Sequence, residues 1–252
     1  MPDRRQKRFV SRWIVPSLEV LEDRCLLSAA TTVPALTPAD ALTGLADFFL
    51  ATLPKDNPSI VFLGDSLTWS FAYNWGASVW SALWAPAGAA DYGIIGQSTR
   101  TLLYQLSLGQ LVGIHPSVVV LTIGTNNLAE GDSPQATAAG IVADVHAIEA
   151  YLPAAQIVVL GVPPGGASPA DPYRLQVSQT NSLVIQMLAG DSHAMFVNIA
   201  PALEQADGTI SSSILADYIH PTLLGYFDLT EALAAPVVEA YLLSQSRSQP
   251  TL

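Results

Sequence analysis

Apolar residues along this chain fall into two patterns: short unbroken aliphatic runs, and longer stretches in which they recur every three or four positions. The unbroken runs cover residues 59–63 (SIVFL), 117–123 (SVVVLTI), 156–160 (QIVVL) and 195–199 (MFVNI), with a weaker one at 89–93. Because they are apolar throughout rather than alternating, they predict strands buried on both faces. The longer stretches predict helices at 99–108, 134–151, 173–189 and 223–243. A further helix is predicted over 37–53, with Thr37 as cap, Pro38 in the first turn and Asp40 near the positive end of the dipole. Ser133 and Pro134 open the 134–151 helix in the same way. Strands alternating with helices predict an α/β fold, a five-stranded parallel sheet covered on both sides through right-handed crossovers, with its ligand site at the carboxyl ends of the strands. Those ends deliver Gly64-Asp65-Ser66, the residues from Gly93 to Gly96, Gly124-Thr125-Asn126-Asn127 and Gly161-Val162-Pro163-Pro164.

Composition divides the chain. Its 252 residues suffice for one well-buried core, expected over 37–245, after a segment at 1–36 and before a disordered tail at 246–252. Half the residues are apolar and 12% are charged, which excludes general disorder. Residues 1–28 hold six of the ten Lys/Arg and four of the 21 Asp/Glu, leaving four Lys/Arg against 17 Asp/Glu, a net −13, for the remainder. Such a polyanion is a poor partner for nucleic acid or anionic lipid. Cys25 is the only cysteine, so neither an intrachain disulfide nor a thiolate zinc site is expected. The uncharged stretch 101–129 contains Gln105, Gln110, Gly113, His115, Pro116, Asn126 and Asn127, and reads as helix, turn and buried strand rather than a membrane span.

In the first segment Arg4, Arg5, Lys7, Arg8 and Arg12 make a basic start, but Glu19, Glu22, Asp23 and Arg24 interrupt the apolar core that an ordinary secretory signal requires. Residues 18–29 (LEVLEDRCLLSA) resemble the LExLExRxLLSA segment at the start of many large exported bacterial proteins, which implies export or a place at the cell surface. A disordered tail on a cytoplasmic protein is the other reading. Oligomeric state is not legible.

The strand ends offer the four parts that ester hydrolysis needs: a nucleophile, a base, a group to orient the base, and donors for an oxyanion. Ser66 follows a buried strand and precedes a helix, where a serine acts either as a helix cap or as a nucleophile. The α/β-hydrolase elbow G-x-S-x-G is excluded, since Thr68 stands two places beyond Ser66. Asp217 and His220 are three residues apart just ahead of the last helix. That spacing lets the carboxylate hold one imidazole nitrogen while the other faces a serine. Asn126 offers a side-chain NH2 and Gly96 an unobstructed backbone N–H, although both types also serve as plain turn formers. His115, His146 and His193 receive no role. Trp69, Trp75, Trp80 and Trp84 follow Ser66 closely; the i, i+4 pair Trp80 and Trp84 predicts a helix face packed on the sheet, whereas Trp69 and Tyr73 are the candidates for a substrate wall.

Gly64-Asp65-Ser66-Leu67, Gly93-Ile94-Ile95-Gly96, Gly124-Thr125-Asn126-Asn127 and Asp217-Tyr218-Ile219-His220 together resemble, in order, the four blocks of the SGNH/GDSL hydrolases. Gly124-Thr125-Asn126-Asn127, the run from Ser98 to Leu106 and Ile157-Val158-Val159-Leu160-Gly161 are most similar to the branch of platelet-activating-factor acetylhydrolase catalytic subunits. Tyr92, Gln97 and Pro163-Pro164-Gly165-Gly166 depart from common family residues and bear on substrate choice. The resemblance implies a flavodoxin-like three-layer α/β/α sandwich and a serine esterase without cofactor or metal. In it Ser66 would attack the ester, His220 take its proton and Asp217 orient His220, while the Ser66 N–H, the Gly96 N–H and the Asn126 side chain hold the oxyanion. Asp65 would fix the turn. The implied substrate is a small ester, first a short-chain or acetylated carbohydrate ester and second a lipid. Acyl transfer on the same residues and a non-catalytic binding module are the competing readings.

Overall fold

In the computed structural model residues 57–248 are described. The basic segment with Cys25, the linker, the 37–53 helix and residues 249–252 lie outside the described residues. Five strands, β1 Ile60–Gly64, β2 Ala89–Gly93, β3 Val118–Thr122, β4 Gln156–Leu160 and β5 Ala194–Val197, form one sheet in the order β2-β1-β3-β4-β5. Every pairing is parallel. This is the flavodoxin-like order, whose topological switch point lies between β1 and β3. Register makes the strand ends level there: Gly64 pairs with Gly93 on one side and with Thr122 on the other.

The helices are α1 Ser66–Tyr73, α2 Thr99–Ser107, α3 Thr125–Ala129, α4 Pro134–Tyr151, α5 Pro172–Met187, α6 Ala200–Leu203 and α7 Leu223–Ser248. Alternate strand residues feed two cores. Val61, Leu63, Val119, Leu121, Ile157 and Val159 join Leu102, Leu106, Ile141, Val145 and Val184 from α2, α4 and α5. Ile60, Phe62, Val118, Val120, Val158 and Leu160 meet Phe71, Trp80, Trp84 and, from α7, Tyr226, Leu229 and Leu233. Burial on both faces is therefore the reason the strands lack alternation.

Several element bounds differ from expectation for local reasons. β5 ends at Val197, where the chain turns toward α6: Asn198 Oδ1 accepts from the Ala200 N–H at 3.1 Å, and Ile199 stands at the cap. α7 runs to Ser248 with Pro236 inside it, reaching into the stretch expected as tail. Trp80 and Trp84 face the sheet as their spacing predicts, each edge-on to Phe62 at 5.0 Å, but not on a regular helix. They bound a π-turn, Trp80–Trp84, between a single α-turn at Ala77–Val79 and a 3-10 turn at Ala85–Ala87. The wider turn still brings both indoles onto one side.

Candidate active site

β1 ends in a turn that only glycine can make. Gly64 has φ 154°, and a Cβ there would lie 2.1 Å from the Thr122 carbonyl oxygen. The chain then enters α1, and the cap is Asp65 rather than Ser66: Asp65 Oδ1 accepts from the Leu67 N–H at 2.9 Å. Ser66, the first helical residue, keeps its hydroxyl for another partner. That partner is His220, whose Nε2 lies 2.9 Å from Ser66 Oγ. On the other side of the ring, Nδ1 is 2.8 Å from Asp217 Oδ2. Asp217 accepting from Nδ1–H leaves Nε2 as acceptor for the serine hydroxyl, the arrangement a general base requires.

The Asp217–His220 turn is tightly bonded. Asp217 Oδ1 accepts from the N–H groups of Ile219 and His220 at 3.0 and 2.7 Å, and the His220 carbonyl accepts from Ala216 N–H. Burial pushes the Asp217 carboxyl up, and the hydrogen bonds from the His220 N–H, its imidazole and the Ile219 N–H outweigh that, so its pKa falls below the ordinary value. Asp65 behaves oppositely. Fully buried, it is pushed up to about 7, against the opposing pull of the Leu67 N–H and of nearby His220.

The loops after β2 and β3 meet beside this line. Asn126 Nδ2 donates to the Gln97 carbonyl at 2.8 Å, which leaves its second hydrogen unused and holds it against the Gly96 loop. Gly96 is exposed with φ 77°, and a Cβ there would meet nothing within 4 Å. Among the described residues no acceptor takes the N–H of Gly96 or of Ser66. Unpaired donors at level strand ends are what a developing oxyanion would use. Trp69 and Tyr73 stay together one turn apart on α1, rings 6.0 Å apart, with Tyr73 exposed and Trp69 half-buried.

Several supporting groups were not singled out from the sequence. Asn127 Oδ1 accepts from Thr99 N–H, while its Nδ2 donates to Thr99 Oγ1 and to Asp132 Oδ2, each at 2.9 Å. Arg100 then grips Asp132 and Glu130. Tyr226 donates to the Leu67 carbonyl at 2.7 Å and stacks on Phe71, pinning α1 from below. Arg174 grips the loop after β4. Its signal was a cation in the first turn of a helix, where the macrodipole disfavours positive charge.

The remaining histidines lie elsewhere. The His115 N–H donates to Asn57 ahead of β3. His146, near the end of α4, lies with Glu149 and with Asp191, ahead of β5, so that one donor atom from each falls within 4.8 Å of the others, a spacing that suits a cation. His193 Nδ1 is 3.9 Å from Asp191 Oδ1. That group sits at the amino ends of the strands, away from Ser66. Among the described residues no helix is long and apolar enough to cross a membrane.

A flavodoxin-like sheet whose switch point carries a serine, an imidazole and a carboxylate in hydrogen-bonded line is the architecture of ester-hydrolysing α/β/α enzymes. Residues 62–226 match the GDSL-like lipase/acylhydrolase family, and the chain belongs to that family. It is 35% identical over 204 residues to the human platelet-activating factor acetylhydrolase IB subunit alpha1, covering 81% of this chain and 86% of that one. It is 29% identical to the rat alpha2 subunit over the same shares. Among solved structures, a GDSL-like lipase from Bacteroides thetaiotaomicron superposes with TM-score 0.63 at 20% identity, covering 79% of this chain and 97% of that one. The acetylxylan esterase Axe2 from Geobacillus stearothermophilus does so at 0.57 and 19%, covering 71% and 93%. The protein is an ester hydrolase acting on a small-molecule ester.

Proposed function

We propose that the protein is a serine esterase for short-chain acyl or acetyl esters, with Ser66, His220 and Asp217 as its triad. The observation that carries this reading is the line from Ser66 Oγ through the imidazole to Asp217 Oδ2, at 2.9 and 2.8 Å. Nε2 takes the Ser66 proton as Oγ attacks the ester carbonyl, and the tetrahedral oxyanion settles against the Ser66 and Gly96 N–H groups and the free Asn126 hydrogen. His220 returns the proton to the leaving alcohol. Water, deprotonated by the same nitrogen, then releases the acid and frees Ser66. Asp217 holds the tautomer and stabilises the imidazolium, and no other chemical group is needed. The acetyl preference is supported by relatives named as acetylhydrolases, and the neighbouring rings of Trp69 and Tyr73, on the helix that begins at Ser66, support their assignment as a wall for a sugar or acyl group.

A lipid-directed reading is favoured by one feature. Tyr218, Ile219, Leu223, Leu224 and Phe227, which flank His220 in sequence, are all exposed large apolar residues. A series of p-nitrophenyl esters from acetate to palmitate separates the two. Highest kcat/KM at acetate or butyrate supports the short-chain proposal, and a maximum at long chains replaces it with the lipid reading.

A further inference from the structure

Asp217 and His220 stand on a turn that is closely bonded within itself but strained at one residue. Tyr218 has φ 63°, the only non-glycine positive φ among the described residues, in the left-handed region that L-residues rarely adopt. Most of the turn's backbone bonds are to its own neighbours: Ala216 N–H to His220 O, Tyr218 N–H to Leu215 O, and Thr222 N–H to Ile214 O. From outside residues 211–222, the Gly166 N–H donates to the Tyr218 carbonyl at 2.9 Å. The strained residue is thus held by the loop after β4.

That loop is in turn held by Arg174. Its Nε–H donates to the Gly165 carbonyl, and Nη2 donates to the carbonyls of Gly166 and Gly208 at 3.2 and 3.3 Å. Nη1 pairs with Glu204 at the end of α6. The side chain is only 10% exposed. One planar fork therefore fixes two consecutive carbonyls of the loop that carries the Tyr218 bond, a task an ammonium group cannot reproduce. Glycines at 165 and 166 allow this approach: Gly166 has φ 76°, and a Cβ on Gly165 would crowd Tyr173 at 2.8 Å.

We infer that Arg174 is a positioning residue for the catalytic base, acting through Gly165-Gly166 and the Tyr218 carbonyl to hold Asp217 and His220 in line with Ser66. This rests on the triad proposed above. An imidazole set off line by a fraction of an ångström loses rate rather than substrate binding.

The test compares full-length wild type, Arg174→Ala, Arg174→Lys and Ser66→Ala on p-nitrophenyl acetate, with folded active sites counted by fluorophosphonate titration. Both Arg174 variants are expected to lose about 10- to 100-fold in kcat per titrated site with KM within about twofold. Their downfield imidazole N–H proton resonance from the His220–Asp217 bond should broaden or vanish. Lys keeps the charge beside Glu204, so Arg174→Lys reports on the fork even if Arg174→Ala folds poorly. Unchanged kcat per titrated site and an unchanged resonance in either folded variant overturn the inference, leaving Arg174 a stability residue. Wild-type activity in Ser66→Ala would instead overturn the triad itself, a separate outcome.

Discussion

Ser66 gains its freedom to react from its neighbour. With Asp65 capping α1, the serine hydroxyl is released to His220, and the helix-cap reading that a strand-to-helix serine invites passes to residue 65. Asn126 supplies one side-chain hydrogen whose direction is fixed by the bond to Gln97, so Asn126→Ala should lower kcat on p-nitrophenyl acetate by roughly 10²–10³ and leave KM nearly unchanged. Asp217 is more exposed than the buried aspartate of a protease triad, its side chain being 58% accessible, so water can partly replace it. Asp217→Asn should therefore lower kcat by about 10²–10³, below the roughly 10⁴ of a buried triad aspartate. A larger loss in Asp217→Asn than in His220→Ala would contradict these roles.

At the scale of elements, the site is a product of register. Gly64, Gly93 and Thr122 end level, so the loops after β1, β2 and β3 reach one place. β1 and β3 were legible because a strand buried on both faces reads as an unbroken apolar run, while β2 was the weaker run because Asp91 interrupts it; β2 and β4 nonetheless match their predicted bounds. Three of the four motifs were legible for a related reason, since each stands where an apolar run stops, and the fourth, Asp217 to His220, stands just ahead of the last helix. What stayed hidden was made by contact between distant segments. Nothing local to Arg174 says that its fork meets Gly165 and Gly166, and nothing local to Trp80 says that its turn widens. Trp84 shows what that wider turn secures, since its indole N–H reaches Thr230 on α7 at 3.1 Å while the rings of Phe62 and Phe71 close around it. Trp84→Ala should cost about 3–5 kcal/mol, seen as a lower urea midpoint, with kcat per folded site little changed.

At the scale of the whole fold, three carboxyls that ordinary conditions would ionise are buried among the described residues. Burial pushes Asp65 up to about 7 and Asp91 up to about 8, and raises Asp144, whose carboxylate oxygens have no hydrogen-bond partner, well above its usual range. Each group binds its proton more tightly folded than unfolded, and every tenfold tightening is worth about 1.4 kcal/mol. Their contribution to stability is thus complete below about pH 4 and is lost as pH rises through 7 and 8. Asp217 and Asp207, lowered when folded, oppose this only as pH falls below the ordinary carboxylate value. Melting temperature should accordingly decline from pH 5 to pH 8.5, and Asp144→Asn should flatten the decline and raise stability at the alkaline end. A melting temperature that rises over this range would contradict the burial argument.

Fluorophosphonate labelling with mass mapping, run beside p-nitrophenyl acetate hydrolysis, tests the central claim most directly. The triad account predicts one adduct, on Ser66, with hydrolysis lost in proportion to labelling, and a Ser66→Ala protein that folds, takes no label and is inactive. Label on another residue, or wild-type hydrolysis by Ser66→Ala, would contradict it.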